Sequence, residues 1–497
     1  MTGPLFSSPG ALRALRPHQE RALEALRASL AAGKRRPMLM APTGAGKTLL
    51  AAHIIKRALD KGKRVAFTVP RLSLIDQTVA ALEAEGIHCV GVMQGIHERT
   101  DRDQPVQVCS IQTLARRRRP EVDLVIVDEA HELHKEVFRW MADCPVPFIG
   151  LSATPWSRGL GKYYDDLIIA ATTEYLISQG YLSKFSVFAP SEPDLSAVST
   201  RAGEFAQDEL ADAMDKASIT GDIVSEWRKR GENRPTIAFC VNRKHAQHVW
   251  ERFIEVGVAA EHADCDTARE DREAMFGRFR SGATKVLCNV GILTTGLDLP
   301  MVSCLVDAQP TKSRILFTQK VGRGLRTAAG KDRLIVIDHA GNHLRLGMVT
   351  DIGQTHLDDG KQREGSAKKE RSEPLPKLCS ECKAVLRPRA RECSECGAPI
   401  VATSMVREAE GELVELGSRR SGARESEVWE KRRFFSELQS LRKPHYSDRW
   451  PDAMFKQRFG HWPNGYDRSV AIEPSLATRN WVRSRRIAYA KGRAAHG

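Results

Sequence analysis

The chain has 497 residues, enough for about three domains at roughly 150 residues each, and its net charge is +14. A positive charge of this size favours a polyanionic partner, although a diffusely basic surface is the alternative. No run of about 18 apolar residues occurs, and the first residues lack the apolar segment of a secretory signal. We therefore expect no membrane span and no secretion.

Apolar runs alternate with helical patterns through the first third of the chain. This alternation predicts parallel strands connected by helices that cover both faces of a sheet. The predicted helices include Thr48–Leu59 and Leu72–Glu85. The predicted strands are Pro37–Met40, Arg64–Val69, Val106–Ser110, Leu124–Val127 and Phe148–Leu151.

The same alternation begins again near Thr236, so we predict an α/β fold with two tandem parallel-sheet domains. The predicted strands there are Thr236–Val241, Thr284–Asn289, Val302–Val306 and Arg333–Asp338. The predicted helices are Arg243–Val256, Ala268–Ser281 and Arg314–Arg323.

Changes in composition give the predicted domain boundaries. Polar, Gly- and Ser-containing stretches are typical of linkers. The predicted parts are a first α/β domain at 1–171, a connecting segment at 172–233, a second α/β domain at 234–354, a linker at 355–377, a Cys-rich unit at 378–401, a hairpin and flexible joint at 402–424, and a mainly helical, basic, Trp-rich region at 425–497.

The sequence Ala41-Pro-Thr-Gly-Ala-Gly-Lys-Thr48 follows the first predicted strand and begins a helix. It matches a phosphate-binding loop, except that Ala41 stands where the strict pattern has glycine. Glycines let backbone N–H groups turn towards phosphates, Lys47 provides a positive charge, and Thr48 offers a hydroxyl to Mg²⁺. An ordinary glycine-rich turn is the alternative. The predicted nucleotide-binding residues are Thr43, Gly44, Ala45, Gly46, Lys47 and Thr48.

Two adjacent carboxylates end the buried strand Leu124–Val127. Carboxylates at the carboxyl end of a parallel strand face the ligand crevice, so Asp128 is placed to hold Mg²⁺. Glu129 is placed to orient and deprotonate an attacking water. A solvated turn is the alternative, but the phosphate loop upstream makes it the weaker one. The two motifs together predict hydrolysis of a nucleoside triphosphate.

Asp128-Glu-Ala-His131 is the DEAH form of the Walker B box, and the chain resembles the superfamily 2 helicases at this point. Each further motif is weak evidence alone, but their order over about residues 15–340 is specific. The matches are Leu15–Gln19 with the adenine-reading Q element, Val69–Arg71 with motif Ia, Ser110–Leu114 with motif Ib, Leu151–Pro155 with motif III, Asn289–Pro300 with motif V, and Gln319–Arg326 with motif VI.

This resemblance implies two RecA-like domains that bind ATP and Mg²⁺ between them. It assigns Gln319, Arg323 and Arg326 to hydrolysis, with the two arginines reaching the γ-phosphate from the second domain, although a solvated helix face is the alternative. Hydrolysis would then depend on closure of the domains. Further ATP contacts are implied for Arg16, Gln19, His131, Gly296 and Asp298, and nucleic-acid contacts near Arg71, Thr113 and Thr294.

Four cysteines stand at Cys379-x2-Cys382-x10-Cys393-x2-Cys396. Two knuckles at this spacing predict a closed, tetrahedral and therefore structural Zn²⁺ site, with Gly397 suited to the second turn. Two disulfides are the alternative.

The other seven cysteines lie mostly in apolar segments, so we expect reduced thiols and a cytoplasmic protein, in a bacterial cell or in the host of a phage.

The order of two helicase domains, a four-Cys ribbon and a basic tail is similar to the RadD group of bacterial and phage ATPases. That resemblance implies a role in DNA repair, with single-stranded or branched DNA as substrate and single-strand-binding or other repair proteins as further partners. A scaffold that recruits repair proteins without unwinding, an RNA helicase, and the motor of a restriction system are the alternatives. We rank the last one low, because no nuclease cluster is evident.

The tail from Arg424 to Gly497 holds 16 Lys and Arg against 8 Asp and Glu, and four of the eight tryptophans. Aromatic rings stack on exposed bases and basic side chains follow phosphates, so the tail could bind nucleic acid. A small helical domain with the tryptophans in its own core is the favoured alternative. We expect a folded unit with one basic face.

Overall fold

The computed structural model describes residues 12–190, 193–264, 266–292, 299–361, 375–400 and 422–494. The chain divides into two compact units, Met1–Ala402 and Thr403–Gly497. Both predicted α/β domains lie in the first unit and the tail forms the second. No helix among the described residues is long and apolar enough to cross a membrane.

The first sheet has seven strands, all parallel, in the order β3-β4-β2-β5-β6-β1-β7. Its inner strands are buried along almost their whole length because helices cover both faces. All five predicted strands are confirmed. The strands are β1 (Pro37–Met40), β2 (Val65–Val69), β3 (Val90–Met93), β4 (Val106–Ser110), β5 (Leu124–Val127), β6 (Phe148–Ser152) and β7 (Asp166–Ile169).

Five helices pack around this sheet. Helix α2 begins directly at Lys47 and buries the pairs Leu50–Ile54 and Ala51–Ile55, each four residues apart along one face. The helices are α1 (Pro17–Ala31), α2 (Lys47–Leu59), α3 (Ile75–Ala84), α4 (Ile111–Leu114) and α5 (Lys135–Asp143). Short 3₁₀ turns lie at Leu72–Leu74 and Leu160–Lys162.

The second sheet has six parallel strands in the order β12-β13-β11-β14-β15-β8. Its edge strand β8 comes from the predicted connecting segment, which therefore contributes to the second sheet. The two tandem parallel sheets confirm the predicted fold class. The strands are β8 (Lys184–Phe188), β11 (Thr236–Phe239), β12 (Ala260–Ala263), β13 (Val286–Asn289), β14 (Cys304–Asp307) and β15 (Arg333–Asp338), with a small hairpin of β9 (Thr200–Arg201) and β10 (Glu204–Phe205).

Seven helices belong to this half, and the predicted ones are confirmed to within a few residues. Helix α6 follows the last strand of the first sheet, and α11 carries Gln319 and Arg323 of the Gln319–Arg326 motif, with Arg326 two residues after its end. The helices are α6 (Thr173–Ser178), α7 (Gln207–Met214), α8 (Ala217–Arg230), α9 (Arg243–Glu255), α10 (Arg269–Ser281), α11 (Arg314–Gly324) and α12 (Asn342–Leu346).

After the last strand of the second sheet, the chain contacts the first domain again. The backbone N–H of Gly161 donates to the Asp358 carbonyl (2.7 Å), and the N–H of Gly159 donates to the Asp358 carboxylate (2.9 Å). These bonds attach the segment after the second domain to the loop that follows motif III. Most of the predicted linker beyond this point, residues 362–374, lies outside the described residues.

The Cys-rich unit contains β16 (Lys377–Leu378) and β17 (Val385–Leu386), an antiparallel pair. The predicted hairpin near Gly411 lies outside the described residues. The second unit is helical, as predicted, with α13 (Gly422–Leu441), α14 (Trp450–Phe459) and α15 (Leu476–Ala494).

Candidate active site

The predicted nucleotide-binding residues lie at the carboxyl edge of the first sheet. The phosphate loop follows β1 and the DEAH box follows β5, with β6 between the two strands. The Ala41 N–H donates to the Ser152 carbonyl and the Ala130 N–H to the Leu151 carbonyl, both at 2.9 Å. The loop, the box and motif III therefore meet at one edge.

The phosphate loop has the backbone that its glycines predict. Gly44 and Gly46 have φ angles of 85° and 88°, a left-handed conformation that side chains disfavour. A Cβ atom at Gly46 would also overlap Gln19 Nε2. Ala41 is fully buried beneath the loop, so the departure from the strict pattern lies away from the phosphate-binding surface.

The Q element contacts the phosphate loop directly. Gln19 Nε2 donates to the Ala45 carbonyl (2.9 Å), and the Arg16 N–H donates to Gln19 Oε1 (2.8 Å). The Arg16 guanidinium lies 4.3 Å from the centre of the Tyr181 ring. The sequence did not indicate Tyr181, because it comes from the connecting segment, where no motif marked it.

Asp128 and Glu129 stand at the end of β5. Glu129 has a φ of 46°, a conformation that costs a non-glycine residue on the order of 1–3 kcal/mol and is common at active sites. The Glu129 N–H donates to Asp128 Oδ1 at 2.9 Å. Burial, and then the charge of Glu129, raise the pKa of Asp128 to about 7, whereas Lys47 acts in the opposite direction.

The chemistry of this arrangement fits a magnesium–nucleotide complex. Lys47 Nζ lies 4.0 Å from Glu129 Oε1, and both side chains are mostly buried. Glu129 Oε2 is buried and lies 3.3 Å from His131 Nδ1, but it makes no hydrogen bond among the described residues, so it can accept one from a water. A bound divalent cation would favour the ionised form of Asp128 by direct charge attraction.

His131 connects the DEAH box to the second domain. Gln319 Nε2 lies 3.2 Å from His131 Nε2, and Ser152 Oγ lies 3.0 Å from His131 Nδ1. A donating amide on Nε2 places the imidazole proton on Nδ1. Burial lowers the pKa of His131, which agrees with a neutral ring that accepts from Gln319.

Helix α11 faces the phosphate loop at close range. A Cβ atom at Gly322 would lie 2.9 Å from Thr43 Cβ, so only glycine lets the helix approach this closely. Two residues after the end of α11, Arg326 Cγ lies 3.4 Å from where a Cβ on Gly44 would be. Arg323 is half-buried on the same helix, one turn after Gln319. The structure thus brings Gln319 and Arg326 to the phosphate-loop side of the first domain.

Two lysines, the buried Lys320 and the half-buried Lys331, bind helix α11 and the residues that follow it to the second domain. Lys320 is 1% exposed and donates to Asp307 Oδ1 (2.6 Å) and the Gln309 carbonyl (2.8 Å). Lys331 donates to the Val302 carbonyl (2.5 Å), the Arg326 carbonyl (2.7 Å) and the Gly324 carbonyl. Burial lowers the pKa of Lys331 to about 7. The sequence did not indicate these contacts, because the motif VI match gave Lys320 no role of its own and Lys331 lies outside that motif.

The predicted nucleic-acid contacts have different surroundings. Arg71 is exposed after β2, whereas Thr113 is only 9% exposed within α4, so little of its side chain is accessible. Gln112, which the sequence did not single out, joins the two loops by donating to the Pro70 carbonyl at 2.8 Å. The predicted residues Thr294, Gly296 and Asp298 lie outside the described residues.

The four cysteines form one cluster. Their sulfurs all lie within 4.8 Å of one another, with Cys379–Cys396 at 3.8 Å and Cys382–Cys393 at 3.6 Å. Sulfurs at the corners of a tetrahedron around one Zn²⁺, each about 2.3 Å from it, would be about 3.8 Å apart. All four are free thiols, and a disulfide would need a sulfur–sulfur distance of about 2.05 Å. The donor set therefore fits zinc.

The two knuckles are built alike. The N–H of Lys383 donates to the Cys379 carbonyl (3.1 Å), and the N–H of Gly397 donates to the Cys393 carbonyl (2.9 Å). Both donors have left-handed backbone, with φ of 60° and 70°. Gly397 was predicted to suit this turn, and Lys383 is its non-glycine counterpart.

The ribbon packs against the edge strand of the second sheet. The Ala189 N–H donates to the Lys383 carbonyl (2.9 Å), and Phe188 pairs with Ala384 as an antiparallel bridge. Ser186 Oγ donates to Glu395 at 2.8 Å. Cys379 and Cys393 are buried in the same apolar cluster as the strands of the second sheet. The ribbon thereby covers an edge that would otherwise be open for pairing.

Two family models match the chain. Residues 13–157 match the family described as type III restriction enzyme, res subunit. Residues 215–328 match the helicase conserved C-terminal domain. The two matches cover the phosphate loop, the DEAH box and the α11 motif.

Similar proteins come from phages and fungi. A 51.5 kDa protein of a Lactococcus phage is 30% identical over 370 residues, which cover 72% of this chain and 77% of the relative. The "Putative ATP-dependent helicase IRC3" of Saccharomyces cerevisiae is 29% identical over 355 residues, 66% of this chain. The match covers 51% of the yeast protein, so the chain spans about half of that relative's length.

Solved structures share the fold. The fragment structure of an HsdR subunit of a type I restriction enzyme from Vibrio vulnificus aligns with a TM-score of 0.54 at 21% identity, over 71% of this chain and 68% of that one. The type ISP restriction-modification enzyme LlaBIII, in its DNA-bound structure, aligns with a TM-score of 0.50 at 19% identity, over 66% of this chain and 28% of that one. At these identities the likeness concerns the fold alone.

Proposed function

The chain belongs to the superfamily 2 ATP-dependent helicases, and from this we propose that it is a DNA-stimulated ATPase that translocates on or unwinds DNA during repair, recombination or replication. The observation that carries the proposal is the contact of helix α11 with the phosphate loop. Gly322 approaches Thr43 and Arg326 approaches Gly44, so the groups needed for hydrolysis come from both domains.

In this proposal the first domain binds ATP. Backbone N–H groups of the glycine loop and Lys47 hold the phosphates, and Gln19 supports the loop through the Ala45 carbonyl. Thr48 and Asp128 would hold Mg²⁺, which supplies positive charge to the phosphate oxygens when it is bound. Glu129 orients the attacking water and accepts its proton at the carboxylate.

The second domain supplies the remaining positive charge. Arg326, with Arg323 one turn earlier, stabilises the negative charge that develops on the γ-phosphate oxygens. His131 accepts a hydrogen bond from Gln319, so this bond forms only when α11 lies against the DEAH box. Any movement of α11 away from the phosphate loop removes both the charge and this hydrogen bond. A nucleic acid that crosses both domains can therefore control hydrolysis by controlling their closure.

We propose zinc as the ion of the four-cysteine site and a structural role for it. The ribbon, together with the helicase domains and basic tail, resembles the RadD arrangement, and this supports DNA and repair over RNA. The restriction enzymes named above share the fold of the motor domains. The proposal includes no nuclease activity, because it rests on the ATPase residues alone.

The ATPase rate on a panel of nucleic acids tests the proposal. We expect single-stranded or forked DNA to stimulate turnover at least about tenfold and RNA of equal length much less. Lys47→Ala should abolish the signal on every substrate, which excludes a contaminating ATPase. Equal stimulation by RNA would make this an RNA helicase, and no stimulation by any nucleic acid would contradict the proposal.

Strand displacement on the same forks separates the two DNA activities. Displacement that requires ATP and is lost in Lys47→Ala establishes unwinding. Strong stimulation of the ATPase without displacement would establish a translocase, or an ATP-controlled scaffold that recruits repair proteins.

A further inference from the structure

The second unit has a core that uses only half of its tryptophans. The partly buried Trp450 and Trp481 pack against that core, whereas Trp429 is 60% exposed and Trp462 is 49% exposed. About half or more of each of these two residues is therefore accessible to solvent. The core consists of Phe434, Phe435, Leu438, Phe455 and Val482.

The two exposed tryptophans lie at the same end of the α13–α14 pair. Lys431, two residues after Trp429, reaches from α13 to the Phe459 ring, with its Nζ 5.7 Å from the ring centre. Phe459 is the last residue of α14, and Trp462 follows three residues later. The part of α13 around Lys431 therefore lies beside the carboxyl end of α14.

Each exposed ring has a cation against it. Lys456 Nζ lies 4.3 Å from the centre of the Trp462 ring, and the Arg433 guanidinium lies 5.3 Å from the centre of the Trp429 ring. A flat ring beside a positive group is the combination that single-stranded nucleic acid requires, since a base stacks on the ring and the neighbouring phosphate meets the cation.

The stretch that carries the two exposed tryptophans is strongly basic. Between Trp429 and Arg486 the sequence has 13 Lys and Arg against 6 Asp and Glu. Two of the six acids, Glu437 and Asp452, are buried. Glu437 accepts from Ser475 (3.0 Å) and Arg433 (3.1 Å), and Asp452 pairs with Arg468 (3.1 Å). Each of these two acids pairs with one arginine, so 11 Lys and Arg remain against 4 Asp and Glu and the positive excess is unchanged.

We propose that this end of the second unit is a binding surface for single-stranded nucleic acid, separate from the helicase domains. Bases stack on Trp429 and Trp462, while Lys456 contacts a phosphate and Arg433, which Glu437 holds through Nε, lies against the Trp429 ring. The surface fits unpaired strands better than duplex, because stacking requires exposed base faces. An acidic peptide would use the cations but would leave both rings without a function.

The test uses the full chain with Trp429→Ala and Trp462→Ala combined, and a fluorescent oligo-dT of about 20 nucleotides without ATP. Binding is followed by anisotropy over a series of salt concentrations. Loss of two stacked bases should weaken binding at least about tenfold while the salt dependence stays the same. Lys456→Ala should weaken binding less and reduce the slope of log K against log salt by about 1.

Leu476→Ala is the matched control, because Leu476 is 75% exposed in the same unit. It should leave affinity within about twofold of the original protein. A combined Trp429→Phe and Trp462→Phe variant keeps aromatic stacking and should bind with intermediate affinity. Both double variants remove the same two indoles. A higher affinity in the phenylalanine variant than in the alanine variant therefore reports stacking and not a loss of folding. Oligo-U should bind about as well as oligo-dT, because stacking does not require a particular sugar.

Three results would overturn the proposal: unchanged oligo-dT affinity in the double alanine variant, equal affinity loss for duplex of the same length, or equal loss for an acidic peptide such as oligo-glutamate. The ATPase rate at saturating DNA separates this proposal from the proposed function, since it should not change in the double variant. If DNA fails to stimulate the original protein but the variant still loses oligo-dT binding, the proposed function fails and this surface remains.

Discussion

In the nucleotide cleft, formed by residues 41–48, 128–131 and helix α11, groups that act together come from positions nearly 300 residues apart in the chain. In the four-cysteine site all the donor atoms lie between Cys379 and Cys396. The cleft therefore depends on how two domains meet, whereas the cysteine cluster depends on two short turns. Damage to the cleft should affect chemistry with little effect on stability, and damage to the cluster should do the reverse.

The largest expected effect is on chemistry and comes from Glu129→Gln. The amide keeps the shape of the side chain but cannot accept the proton of the attacking water, so turnover should fall at least about a hundredfold. ATP affinity should change little, because Lys47 and the loop are intact. Steady-state ATPase and nucleotide-binding assays measure the two effects.

Glu132→Gln is the matched control, three residues further along the same loop. Its carboxylate faces His134, and it should leave turnover within a few-fold of the original. Near-normal turnover in Glu129→Gln would remove Glu129 from the mechanism.

The second prediction concerns the cysteine cluster. Cys382→Ser removes one of four thiolates, so purified protein should lose most of about one equivalent of zinc. Because the ribbon shares a core with the second sheet, the melting temperature should also fall, by about 5 °C or more. Metal analysis and thermal unfolding measure these effects.

Cys144→Ser is the control, since Cys144 is a half-buried free thiol outside the cluster. It should keep zinc content unchanged. Less than about half an equivalent of zinc in the original, unchelated protein would contradict the assignment of the site.

The smallest expected effect comes from Lys331→Met, which keeps the apolar stem but removes the donor to the carbonyls of Gly324 and Arg326. A less firmly held α11 should lower kcat about tenfold, with KM for ATP changed less than about threefold. A merely structural role would lower the melting temperature and leave kcat of the folded protein intact. Lys184→Met, at an exposed lysine of β8, serves as the control.

The sequence predicted the cysteine cluster more completely than the nucleotide cleft. The spacing of the cysteines is local and needs no knowledge of the fold, so the cluster was predicted completely. The two halves of the cleft were predicted from the order of motifs. The contacts between them, Gly322 with Thr43 and Gln319 with His131, could not be, because they depend on how the domains meet.

The strands show the same limit. The four strands of the two large sheets that were not predicted, β3, β7, β8 and β12, are the four edges of those sheets. An edge strand is paired on one side only, and three of these four are incompletely buried, so they lack a continuous apolar run. Because β8 was not predicted, the packing of the ribbon against β8 could not be predicted either.

The measurement that tests the two-domain cleft most directly compares ATP binding and DNA-stimulated hydrolysis in Arg326→Ala. Arg326 lies beside Gly44 of the phosphate loop but belongs to the second domain. We predict ATP affinity within about fivefold of the original and hydrolysis lowered at least about a hundredfold. Hydrolysis at the original rate in a folded Arg326→Ala protein would contradict the account.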